Sequence, residues 1–137
     1  MLLHASDRAS PRHPAALRFL EERASDPDVF CLAWATTMAY VRIATHPRIF
    51  AEPLTPAEAL DNVEALLSLP RVRPIGEADG FLATYRQATE GIAARGNLVP
   101  DAHLATLLRQ HGVRRLYTND TDFRKFPFLE IRDPFSP

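Results

Sequence analysis

"VPDAHLATLLRQHGVRRLYTNDTDF", residues 99–123, decides how the rest of the chain is read. Pro100 falls early in a helix, where its missing amide costs no hydrogen bond, and Gly112 supplies the C-terminal stop. "RRLYT" then reads as a strand. Its apolar run stops at Thr118, Asp120 and Asp122 follow, and Phe123 resumes the hydrophobic pattern. Two carboxylates crowded at a strand end repel each other unless something positive sits between them.

Outward from this stretch, helices and strands alternate. "LLHA" at 2–5 reads as the tail of a strand, and Ser10 with Pro11 opens a helix containing Ala15, Ala16, Phe19, Leu20 and Arg23. "VFCLA" reads as a short buried strand, and 34–45 as a helix ended by "HPRIF". "LTPAEALDNVEALLSL" carries a Thr55 cap, Pro56 at the first helical position and Glu58 three residues after the cap. Leu60, Val63, Leu66 and Leu67 are its expected inner face. "RVRPI" alternates like a strand, "EADGFLATYRQATEGIAARG" is read as a helix ending near Gly96, and "LEIRDPF" as a last short strand. Such alternation indicates a parallel sheet covered on both faces. No repeat, low-complexity segment or linker interrupts it, so residues 1–137 are expected to form a single domain.

Composition narrows the function. A hydrophobic fraction of 46% supports a core, and a formal net charge of −1 excludes a global basic field, so a nucleic-acid partner needs a local patch. Lys125 is the only lysine among sixteen basic residues; the arginines suit bidentate phosphate contacts. Cys31 cannot form an internal disulfide and reads as a buried, inert thiol, which fits a reducing cytoplasm. No apolar run approaches the ~20 residues that span a bilayer, and the N-terminus lacks the pattern of a signal peptide.

In open parallel sheets, sites form at the carboxyl ends of strands, which is where Asp120 and Asp122 fall. Asp101, in the first turn of the preceding helix, reaches them only if the two consecutive helices reverse direction, as Gly96 and Asn97 permit. Singly, Asp101 serves the helix dipole, and Asp120 and Asp122 serve a turn or cap. Together they form an oxygen-only set that suits Mg²⁺ or Mn²⁺ rather than Zn²⁺. The five histidines show no metal spacing, and His103 reads as a surface residue. Trp34 either stacks on a base or, in its apolar run, belongs to the core.

At "GNLVPDAHLATLLRQHGVRRLYTNDTDFRKFPFLEI" the chain resembles the PIN-domain ribonucleases, and among them the VapC-type toxins of bacterial toxin–antitoxin pairs. "DAHLA" looks like that family's third acidic motif and "TNDTDF" like its fourth. "LLHASDRASPRHPAALRFLEE" resembles the stretch after the first motif, and "AYVRIATHPRIF" the second-helix region. The resemblance implies an α/β PIN-like fold, a three-layer α/β/α arrangement around a mainly parallel sheet of about four to five short strands. It also implies Mg²⁺- or Mn²⁺-dependent hydrolysis of RNA, homodimerisation, and inhibition by a cognate antitoxin. Asp101 matches the third acid, and Thr118, Asp120 and Asp122 the fourth motif. Thr118 would orient a carboxylate or a water, and Arg42 and Arg48 would meet backbone phosphates or form ordinary surface ion pairs.

Two positions depart from the family's pattern. Its first acid is expected just before the stretch like "LLHA", so the N-terminus reads as truncated there, with Asp7 too late to replace it. Its second acid, usually glutamate, is Ala39, and no Asp or Glu occurs from Val29 to Ala51. A PIN-fold protein that binds antitoxin or RNA without cutting is therefore the second reading. A receiver-like phosphoacceptor domain is the third; it needs a partner lysine, and Lys125 lies three residues beyond Asp122.

Overall fold

A computed structural model describes residues 1–136. It falls into two units, Met1–Pro74 and a second beginning at Ile75.

The first unit holds α1 (Leu2–Ser6), α2 (His13–Ser25), β1 (Phe30–Ala33), α3 (Trp34–Ala44), α4 (Pro56–Leu67) and β2 (Val72–Ile75), whose last residue opens the second unit. Residues 2–5 are helical, not a strand. Leu2 and Leu3 pack on the Tyr40, Ala44, Ala59 and Val63 cluster, so tertiary burial rather than strand pairing uses their apolar side chains. α2 begins at His13, later than Ser10–Pro11 suggests, because Ser10 and Pro11 lie in the turn ahead of it. α4 starts as expected: the Thr55 side chain accepts from the Glu58 amide at 3.1 Å, and Pro56 follows the cap. Its buried face is Ala59 and Val63, while Leu60 is 46% exposed. A buried tyrosine fastens the helices of this unit. The Tyr40 hydroxyl pairs with Ser6 Oγ at 2.6 Å and accepts from Asn62 Nδ2 at 3.1 Å, tying α3 to α1 and α4.

The second unit holds α5 (Phe81–Ala88), α6 (Leu98–Gln110), β3 (Arg115–Tyr117), a 3-10 turn (Thr121–Lys125) and β4 (Glu130–Arg132). α5 is much shorter than the sequence suggests. It ends at Ala88, and turns carrying Gly91 (φ 74°) and Gly96 (φ 58°) bring the chain round into α6. These left-handed positions favour glycine and allow the reversal on which Asp101 depends. α6 buries Ala102, Ala105, Thr106, Leu107 and Leu108 and packs on both α5 and the 3-10 turn. Phe123 and Phe126, both buried, anchor that turn. β3 and β4 are parallel, in the register Arg115↔Glu130, Leu116↔Ile131 and Tyr117↔Arg132. The segment entering α5 is held from α6. Gln110 accepts from the Ala78 amide at 3.0 Å and donates to the Ala78 carbonyl at 3.0 Å, while His111 Nε2 meets the Gly76 carbonyl at 2.7 Å.

The α/β class holds. Among the described residues the strands number four and fall into two hydrogen-bonded pairs, β1–β2 and β3–β4. Each strand is only three or four residues long, so each ladder is short.

Candidate metal centre

β3 ends at Tyr117, and the next residues are fixed by a relay of local hydrogen bonds. The Thr118 amide donates to the Arg132 carbonyl at 2.9 Å, extending the ladder by one residue. Thr118 Oγ1 accepts from the Asp120 amide at 3.1 Å. Asp120 Oδ1 in turn accepts from the Asp122 amide at 2.9 Å and caps the 3-10 turn. Side chains that bond to backbone two residues on are the reason Thr and Asp favour such turns. Here they set two carboxylates at one strand end.

The third carboxylate arrives on α6. Asp101 lies in its first turn, half-buried, where the helix dipole favours negative charge. Because α6 packs on the 3-10 turn, Asp101, Asp120 and Asp122 meet: each offers an oxygen, and these atoms all lie within 4.8 Å of one another. Three carboxylate oxygens this close together could hold one divalent cation. The electrostatics agree. Burial, then the neighbouring Asp120 and Asp122 charges, raise the Asp101 pKa above its ordinary value, with Lys125 pulling it down. A cation beside Asp101 would offset the like charges that disfavour its ionised form. The donor set is carboxylate oxygen throughout, which fits a hard divalent ion.

Lys125, three residues beyond Asp122, places its Nζ 3.0 Å from Asp122 Oδ1. Its signal was the three-residue spacing, which one 3-10 turn closes. His103 is a partly exposed residue, as expected, but it is engaged: Nε2 sits 2.6 Å from Glu77 Oε1, and its ring stands edge-on to Phe81. Arg42, in the last turn of α3, and Arg48 in the following loop are exposed and belong to the first unit. Asp7 accepts from the Ala9 amide in a local turn of that unit. Ala39 is exposed on α3. Trp34 is 46% exposed at the start of α3, so of its two readings the core one does not hold. Cys31 is partly buried, and burial raises its pKa, consistent with an inert thiol.

Comparison with known proteins decides the family. Ribonuclease VapC48 of Mycobacterium tuberculosis is 45% identical over 136 residues, covering 99% of this chain and 94% of the relative. The chain belongs to the VapC ribonuclease family. VapC ribonuclease Mb2897 of Mycobacterium bovis is 32% identical over 128 residues, 93% of this chain and 86% of its own length. Among solved structures, VapC20 of Mycobacterium tuberculosis, described as a sarcin-ricin loop cleaving toxin, aligns with a TM-score of 0.65 at 19% identity, covering 96% of this chain and 94% of that one. VapBC2 from Rickettsia felis, solved bound to a DNA fragment of its promoter, aligns at 0.59 and 14% identity, over 94% and 89%. These two likenesses speak for a shared VapC fold, the α/β PIN-like arrangement. No protein-family model matches the chain. No helix among the described residues is long and apolar enough to cross a membrane.

Proposed function

We propose that this chain is a divalent-cation-dependent endoribonuclease toxin of the VapC type, with Asp101, Asp120 and Asp122 as its metal ligands and catalytic carboxylates. The observation that carries this is the convergence of three carboxylates from two elements within 4.8 Å. Mg²⁺ or Mn²⁺ is the ion such oxygen donors suit.

Asp101, Asp120 and Asp122 would hold the ion, which would supply an acidified water and charge neutralisation at phosphate oxygens. The chain's own residues do the positioning. Asp101 brings its charge from a helix rigidly packed through Ala102 and Ala105. Asp120 divides its work: Oδ1 is committed to the Asp122 amide, which fixes the direction in which the rest of the carboxylate faces. Thr118 holds the Asp120 backbone, so it supports the ligands from behind. Arg42 and Arg48, exposed guanidinium groups, are the proposed phosphate contacts.

The proposed partners are single-stranded RNA as substrate, a cognate antitoxin as inhibitor and a second copy of this chain, in the cytoplasm. Support for the homodimer is the outward Trp34 and Met38, 46% and 54% exposed one helical turn apart on α3. One domain spanning the chain is the proposed organisation.

The test is cleavage of single-stranded RNA with Mg²⁺ or Mn²⁺, against EDTA and against Asp120→Asn. Cation-dependent cutting that Asp120→Asn abolishes supports the reading; cutting that survives both removes it. Ala39 favours a second reading, a VapC-fold protein that binds antitoxin or RNA without cutting. Partner binding with no cleavage of any RNA offered would support that one.

A further inference from the structure

Lys125 is the one lysine beside fifteen arginines, and it sits on the acid cluster. Its Nζ lies 3.0 Å from Asp122 Oδ1, with the two side chains 52% and 54% exposed. Its charge reaches further than that one partner, because it also acts on Asp101. The 3-10 turn fixes this placement: Asp122 and Lys125 stand three residues apart in it, and buried Phe123 and Phe126 seat the turn.

Charge balance gives the pairing a meaning. Three ionised carboxylates outweigh one divalent cation by one negative charge, so a cluster loaded with a single ion would still repel an incoming phosphodiester. We propose that Lys125 is a positioning residue that completes the charge balance of a one-cation site, weakening the cation's hold while drawing the RNA phosphate in. This rests on the metal-centre reading given above. A compact ammonium on a flexible four-carbon stem suits the role, since it can follow a carboxylate or a phosphate without the fixed fork of a guanidinium. Its exposure keeps the effect moderate, because solvent screens it.

The two halves of the proposal point in opposite directions, which a purely structural role would not do. Mn²⁺ binding to the full chain, followed by electron paramagnetic resonance, is compared for wild type, Lys125→Met and Lys125→Arg. Binding of a fluorescein-labelled single-stranded phosphorothioate RNA is then measured by anisotropy at saturating Mn²⁺. Lys125→Met is expected to bind Mn²⁺ about three- to tenfold tighter and the RNA about three- to tenfold weaker. Its slope of log affinity against log salt should fall by about 0.7–1. Lys125→Arg keeps the charge and should lie between wild type and the Met variant in both, nearer to wild type. If the Met variant leaves either constant unchanged, or moves both the same way, the proposal is overturned while the metal centre stands. If neither wild type nor variant binds Mn²⁺, the metal centre falls and the proposal with it.

Discussion

Thr118 Oγ1 accepts a hydrogen bond from the Asp120 amide at 3.1 Å, so the threonine acts on the acid through its backbone and not through its carboxylate. Removing the acceptor frees the turn that aims two of the three acids. Thr118→Val should lower RNA cleavage by about 10-fold or more, the low end for groups that orient ligands. Stability should drop by only about 0.5–1.5 kcal/mol. Thr118→Ser should restore cleavage. Steady-state rates and urea melts of the three proteins check this, and an unchanged rate in the Val variant would count against the relay.

Asp101 should show function and stability pulling apart. Its pKa is raised by burial and by Asp120 and Asp122, so the folded protein holds the Asp101 proton more tightly than the unfolded chain does. The stabilising contribution is full below the ordinary carboxylate pKa and is lost as pH rises through the raised one. At neutral pH the ionised Asp101 is therefore a cost to the cation-free protein. Asp101→Asn should raise Tm slightly at pH 7 without cation, and the gain should vanish under acid conditions. Added Mn²⁺ should stabilise wild type and leave the variant where it was. Cleavage by the variant should fall by at least about 10–100-fold. Calorimetry across pH, with and without Mn²⁺, decides it; a variant that melts lower at pH 7 contradicts the account.

Tyr40 should matter for stability alone within its unit. Tyr40→Phe keeps the ring among Ala44, Ala59 and Val63 but strands Ser6 and Asn62. The expected loss is about 1–3 kcal/mol in chemical denaturation. A neutral result would mean that water replaces the hydroxyl.

Phe126 is fully buried and holds the 3-10 turn from below. Phe126→Ala should cost about 3–5 kcal/mol. Phe126→Leu should keep more of the stability, and the Mn²⁺ affinity of each variant should follow how well the turn is held. Equal affinity in wild type and both variants would uncouple the turn's packing from the ligands.

Met38→Glu tests the proposed homodimer. Placing a charge beside Trp34 on the outward side of α3 should convert a dimer to a monomer in light scattering at micromolar concentration. A wild-type chain that is already monomeric would remove the dimer.

What was legible in the sequence was local. The Thr55 cap, Pro56 and Glu58 specify the start of α4 through bonds spanning three residues, and the structure has them. Asp101, Asp120 and Asp122 were readable as a group because two of them share one turn and the third opens a helix leading into its strand. Residues 2–5 were misread because an apolar run of that length fits either period, and the packing that settles it comes from α3 and α4. α5 was overextended because "EGIAARG" contains good helix formers, while the left-handed glycines at 91 and 96 act only once the chain turns back. Leu60 lies outward although its helical set reads as an inner face, and Trp34 lies outward rather than in the core that was one of its two readings, because an apolar residue does not by itself mark which face is covered. The sequence places Lys125 three residues beyond Asp122, but only the 3-10 turn shows that this spacing brings the two side chains together.

The grip of Gln110 on both polar groups of Ala78 has a consequence in time. The two residues are 32 positions apart, so during synthesis the strip at 76–79 leaves the ribosome well before the amide that fastens it. At about 5–20 residues per second that delay is roughly 2–6 s. Through most of that interval the backbone of Ala78 lacks its partner from α6, and His103, which meets Glu77, arrives only seven residues before Gln110. Asp101 therefore emerges before that clasp can close, whereas Asp120 and Asp122 follow Gln110 and arrive at a segment it can already hold.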